Sequence, residues 1–204
     1  MAAPSTNSTG NAQPTQDELE DIILSARYGE LEEIQEFVKK FGIAPLAESR
    51  DDRGNGCLHM AAANGHKDVI SFLLPLVPSE TLSATNQSGN TPLHWAAMNG
   101  HIDTLRLLVP ALPKDALFLK NQFGRDALSE AENAVPEGET GASSPQQECV
   151  GYLLTFMELE KEKEGKEGDA EDDEAIAEEG EKGGTTTSST TDASSAQESR
   201  QDVR

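Results

Sequence analysis

The sequence predicts an all-α solenoid of about four helix-turn-helix repeats with hairpin loops, flanked by disordered termini. Two patterns predict it. Cys57-Leu58-His59-Met60-Ala61-Ala62-Ala63-Asn64-Gly65-His66 returns as Pro92-Leu93-His94-Trp95-Ala96-Ala97-Met98-Asn99-Gly100-His101, at an offset of 35 residues. Self-similarity at that period marks stacked supersecondary units. Each phrase is then followed by an apolar stripe at helical spacing, Ile70-Leu73-Leu74 and Leu105-Leu108-Val109.

The four units divide at about 17–50, 51–85, 86–120 and 121–157. In the first, Ile22 to Gly29 fits the leading helix, with Gly29 standing 36 residues before Gly65. Ile34, Phe37 and Val38 fall on its second-helix stripe. This copy lacks the His and the Thr-Pro, as expected of a terminal cap with one solvated side. In the second and third units, Gly54 and Gly89 sit in hairpin turns three residues after Asp51 and Asn86. Pro92 suits the first turn of a helix, where its missing N–H costs nothing. The Ala61-Ala62 and Ala96-Ala97 pairs allow close helix packing, and Gly65 and Gly100 end those helices with a left-handed residue. The fourth unit opens with Asn121-Gln122-Phe123-Gly124 and continues through Asp126 to Ala131. Its second stripe, Val150-Leu153-Leu154, arrives late: Leu128 to Val150 spans 22 positions, where Leu93 to Leu105 spans 12. The surplus predicts an inserted loop at about 134–145, rich in Gly, Ser and Pro. Residues 1–16 read as a disordered lead, and residues 158–204 as an acidic, then Ser/Thr-rich, disordered tail.

Thirty-seven acids against sixteen bases give a formal charge of −21. The tail carries sixteen acids and six bases, and residues 17–36 carry eight acids and one base, Arg27. Such a field repels nucleic-acid phosphates and attracts basic proteins, so direct nucleic-acid binding is not expected. No apolar run is long enough for a membrane span, and no signal-peptide pattern is present. Two cysteines, Cys57 and Cys149, make no disulfide framework and fit a reducing compartment. No Gly-Lys-Ser/Thr follows the glycines, so they form no phosphate loop. Asp51-Asp52-Arg53-Gly54-Asn55-Gly56 lacks the ligand alternation and closing Glu of a calcium loop. Carboxylates at Glu171-Asp172-Asp173-Glu174 lie where fixed acid–base geometry is not expected. Neither cysteine has the His or carboxylate arrangement of a nucleophile. No enzyme activity, metal or cofactor is expected.

The doubled phrase resembles the ankyrin repeat, which runs Asp-x-x-Gly-x-Thr-Pro-Leu-His-x-Ala-Ala-x-x-Gly-His and closes with Val-x-x-Leu-Leu. That resemblance implies structural roles for all four histidines. His59 and His94 would bond turn backbone, and His66 and His101 would bond near the next hairpin. It also implies which positions face the concave groove, where such proteins hold a partner. They are Asp52, Arg53, Asn55, Ala63 and Asn64, then Gln87, Ser88, Asn90, Met98 and Asn99. Gln122, Phe123, Arg125, Asn133 and Ala134 follow in the fourth repeat. Trp95, the only tryptophan, is either sandwiched between repeats or open to the groove. In the open case it would serve with Met98 and Phe123 as an apolar anchor. Glu130 and Glu132 are expected to add negative charge at the groove's far end.

Departures from the general repeat narrow the resemblance. Ile22 to Arg27, Leu58 to His66, Gly89 to Ala96 and, above all, Lys120-Asn121-Gln122-Phe123-Gly124-Arg125-Asp126-Ala127-Leu128-Ser129-Glu130-Ala131-Glu132-Asn133 resemble one small fungal family. Its members are the ankyrin-repeat dedicated chaperones of small-subunit ribosomal protein number three. The resemblance covers residues 17 to about 157. It implies a monomer that forms a hetero-complex with a newly made basic ribosomal protein, keeps it soluble, and travels with it from cytoplasm to nucleus. Two alternatives stay open: an assembly factor for another complex such as the proteasome regulatory particle, and an inhibitor masking a basic DNA-binding domain.

Overall fold

The computed structural model describes residues 13–135 and 144–167. The first helices of the four repeats are α1 (Gln16–Tyr28), α4 (Cys57–Asn64), α7 (Pro92–Met98) and α9 (Ala127–Asn133), packed side by side in that order. Their partners are α2 (Leu31–Phe41), α5 (Lys67–Leu73), α8 (Ile102–Ala111) and α10 (Pro145–Glu167). No strand occurs among the described residues.

Small residues set the spacing of the first layer. Ala26, Ala61, Ala62, Ala96, Ala97 and Ala131 are all fully enclosed, so consecutive backbones approach closely. Ile34, Ile70, Leu73, Leu105, Leu108 and Leu153 of the second helices complete the core. The last stripe differs in detail from the expected one. Cys149 and Leu153 point inward, whereas Leu154 is 41% exposed. Leu74 and Val150 are half-buried at the stripe's edge.

Capping residues fix where the helices begin. Thr15 Oγ1 accepts from Glu18 N at 3.2 Å while Thr15 N donates to Glu18 Oε2 at 2.8 Å, a reciprocal box at the start of α1. Ser144 and Gln147 form the same box on α10, with Pro145 at its first position. Asp126 caps α9 through Ser129 N at 2.9 Å.

Three short elements lie between repeats that the sequence pattern did not foretell. They are α3 (Ile43–Glu48), α6 (Ser79–Leu82) and a 3-10 turn at Lys114–Phe118. Each delivers one buried leucine at the repeat period, Leu46, Leu82 and Leu117. α10 also continues past Met157 to Glu167, into residues read from composition as tail. Most of the inserted loop, 136–143, and the lead to residue 12 lie outside the described residues, as does the tail beyond Glu167.

The insertion nonetheless leaves a trace in the stacking. The His66 ring sits over Gly29, and the His101 ring, 36 residues after Gly65, sits over that glycine. Over Gly100 the corresponding body is Pro145, 45 residues on. A proline at the head of α10 therefore fills the histidine's place once the loop has been passed.

Candidate partner-binding groove

The hairpins are held by one residue each. Asp51 Oδ1 accepts from Arg53 N at 2.9 Å and Asn55 N at 2.7 Å. Asn86 Oδ1 accepts from Ser88 N and Asn90 N, both at 2.9 Å. Asn121 Oδ1 accepts from Phe123 N at 3.0 Å and Arg125 N at 3.1 Å. These are side-chain-closed turns of the Asx kind. The two asparagines do what aspartate cannot, because their amides also donate. Asn86 Nδ2 bonds Asn55 Oδ1 and Asn121 Nδ2 bonds Asn90 Oδ1, each at 2.8 Å, so consecutive hairpins are tied side chain to side chain. Backbone ties run beside them, from Gln87 N to Arg53 O and from Gln122 N to Ser88 O, both at 3.0 Å.

The histidines lock hairpins to helices. His59 Nε2 donates to Asn90 O and His94 Nε2 to Arg125 O, both at 3.1 Å. Their Nδ1 atoms accept from Gly56 N and from the Thr91 hydroxyl. Each imidazole is thus neutral, donating at one nitrogen and accepting at the other. Burial pulls His59 down to about 4 and lowers His94 as well. His66 and His101 correct the expectation from the repeat pattern. They reach back to the preceding repeat's first helix, to Arg27 O at 2.8 Å and Ala63 O at 3.0 Å, instead of to the next hairpin. Each follows the helix-ending glycine of its own repeat, and its ring packs over the corresponding glycine of the repeat before.

This frame reassigns part of the expected surface. Asn55 is 5% exposed and Asn90 is half-buried, and both belong to the asparagine ladder, not to the groove. Glu130 is 8% exposed and accepts from Asn121 Nδ2 at 2.6 Å, with Arg125 Nη1 3.7 Å away. It shares the Asn121 amide with Asn90 and is spent inside the last hairpin, so Glu132, which is exposed, carries the free charge there. Asp52, Arg53, Asn64, Gln87, Asn99, Phe123, Arg125 and Asn133 are exposed, and Ser88 and Met98 are partly so. Among these, Asn64 and Asn133 brace their own helices by donating to Met60 O and Ser129 O. Asn99 ties α7 to Ala63 O, and Gln87 ties its hairpin to Asp52 O. Phe123 stands at the last hairpin tip, 71% exposed.

Trp95 lies between the two alternatives, half-buried, with its indole Nε1 shut from solvent and without an acceptor. It occupies the same repeat position as Leu24 and Met60, five residues before the glycines at 29, 65 and 100. Leu24, Met60 and Trp95 therefore form an apolar lane across three first helices, and Glu130 takes the equivalent place in the fourth. Leu24, Met60 and their neighbour Glu20 escaped the sequence reading, although the register was visible in the aligned phrases.

Both cysteines are buried. Burial pushes both Cys57 and Cys149 up to about 11, leaving thiols and not thiolates at neutral pH. Among the described residues no group of three or more His, Cys, Asp or Glu could hold a metal ion, and no helix is long and apolar enough to cross a membrane.

Stacked helix pairs, Asx-closed hairpins and the Leu-His lock make up the ankyrin-repeat fold. Residues 22–118 match the family described as ankyrin repeats (3 copies). An ankyrin repeat-containing protein of Schizosaccharomyces pombe is 35% identical over 68 residues, which is 33% of this chain and 44% of that relative. The chain thus aligns with less than half the length of that curated relative. Among solved structures, a chain of the crystal structure of the yeast ribosomal protein Rps3 in complex with its chaperone Yar1 matches with a TM-score of 0.61 and 29% identity. The match covers 71% of this chain and 95% of that one.

Proposed function

We propose that this protein is a dedicated chaperone of the basic small-subunit ribosomal protein Rps3. It binds the newly made client on its acidic ankyrin surface, keeps it soluble, and accompanies it from the cytoplasm to the nucleus for small-subunit assembly. The observation that carries this reading is the near-complete coverage of a chain from the Rps3–Yar1 complex, which we take to be the chaperone because it shares the repeat solenoid. Charge supports it. A protein of −21 attracts a client whose RNA-binding surfaces are positive, and shields them from other polyanions. Attraction of this kind speeds capture and fades with salt.

The test is co-expression with the ribosomal protein followed by size-exclusion chromatography with light scattering at low and moderate salt. A stable complex of one chain of each, with the client soluble, is the expected result. An aggregated client beside a free ankyrin chain would sink the assigned partner and leave the fold untouched.

A further inference from the structure

Among the described residues, no hairpin precedes α1, the leading helix of the first repeat. On its inner face Leu24 is 44% exposed, while its equivalents Met60 and Trp95 are half-buried. Beside it lies a cavity of about 260 Å³, walled by α1, Met60 and the first hairpin. Its floor is Ile23, Leu24 and Met60, and its charged rim is Glu20, Arg27, Arg50, Asp51 and Asp52.

The rim charges are not equivalent. Asp51 is committed to closing its turn, and Arg50 Nη1 to the carbonyls of Ala47 and Ser49, each at 2.7 Å. Glu20 accepts only from Gln16 Nε2, and the Asp52 carboxylate takes no hydrogen bond among the described residues. Arg27 donates its charge to no acid among them. Glu20 and Arg27 stand seven residues apart on one helix, about 10 Å along its axis. An apolar floor rimmed by carboxylates and a guanidinium that form no ion pair among the described residues fits an amphipathic helix, not a bare cation.

We infer that this pocket seats a long aliphatic side chain from a helix of the basic client. A Lys or Arg one turn away meets Glu20 and Asp52, and Arg27 fixes the helix direction. The inference rests on the chaperone reading and assigns the principal anchor to the first repeat instead of to the Trp95–Phe123 region.

Binding kinetics of the full chain with the purified ribosomal protein test it. Leu24→Lys alters an exposed site, so melting temperature and helicity should hold, yet it places a cation where the client's helix docks. Dissociation about tenfold faster is expected. Glu20→Gln with Asp52→Asn should slow association and flatten its salt dependence, and Arg27→Glu should do the reverse. If Leu24→Lys stays within about twofold of the wild type while Trp95→Ala with Phe123→Ala releases the client, the pocket assignment is overturned and the chaperone reading survives. A wild-type chain that captures no ribosomal protein overturns both.

Discussion

Gly89 and Gly124 occupy the same point of consecutive hairpins with the same left-handed backbone, φ 78° and 72°. A Cβ on Gly89 would lie 3.0 Å from the Asn121 backbone, whereas one on Gly124 would meet nothing within 4 Å. In the middle repeats, polar residues and glycines answer to a neighbour one period away. At the ends that obligation lapses. Among the described residues no hairpin precedes the first repeat, the fourth has Ser129 where His59 and His94 stand, and Leu24 and Phe123 are exposed apolar side chains on the groove side at those two ends. The proposed partner surface lies where the frame runs out.

The contrast is sharpest at Gly65. Its φ of 74° disfavours any side chain, and a Cβ would fall 2.5 Å from His101 Nδ1. Gly65→Ala should cost about 4 kcal/mol in urea unfolding, combining backbone strain with displacement of the ring. Next comes pH. The folded-state value for His59, about 4, lies below its ordinary 6.5, so its contribution is complete above pH 6.5 and is lost as pH falls toward 4. That amounts to about 3 kcal/mol over the window, with His94 acting in the same direction. Urea titrations across it should show the decline, and His59→Gln should flatten it.

Asn86→Ala removes the turn closure and the tie to Asn55 together, an expected loss of about 2 kcal/mol. Gly124→Ala should lose only about 1 kcal/mol, the backbone cost alone. Equal losses at Gly65 and Gly124 would contradict the division between committed interior and free ends.

The repeats were legible because Ala-Ala pairs, helix-ending glycines and second-helix stripes recur at a fixed offset. The linker elements were not, since a single buried leucine such as Leu82 in a four-residue helix makes no apolar stripe, even though these leucines recur at the repeat offset. The extension of α10 was hidden by composition: Glu and Lys mark a tail by their charge but are also strong helix formers. In the groove, the pattern named hairpin positions correctly but could not say that Asn55 and Asn90 point toward the next hairpin. That depends on pairs brought together across repeats. Glu130 was misread for the same reason, because its partner Asn121 belongs to the hairpin ladder. Leu24 was readable in register with Met60 and Trp95, yet its exposure depends on what packs beside α1, which the register does not give.

The most direct test of groove capture uses the single tryptophan. Trp95 lies in the apolar lane, half-buried with an unpartnered indole N–H, so its emission should respond to an occupant of the groove. Titration with Rps3, corrected for the client's own signal, should give a saturable shift at moderate salt, and polylysine should give none. An unchanged Trp95 spectrum alongside a stable complex would contradict an occupant that spans the apolar lane from Leu24 through Met60 to Trp95.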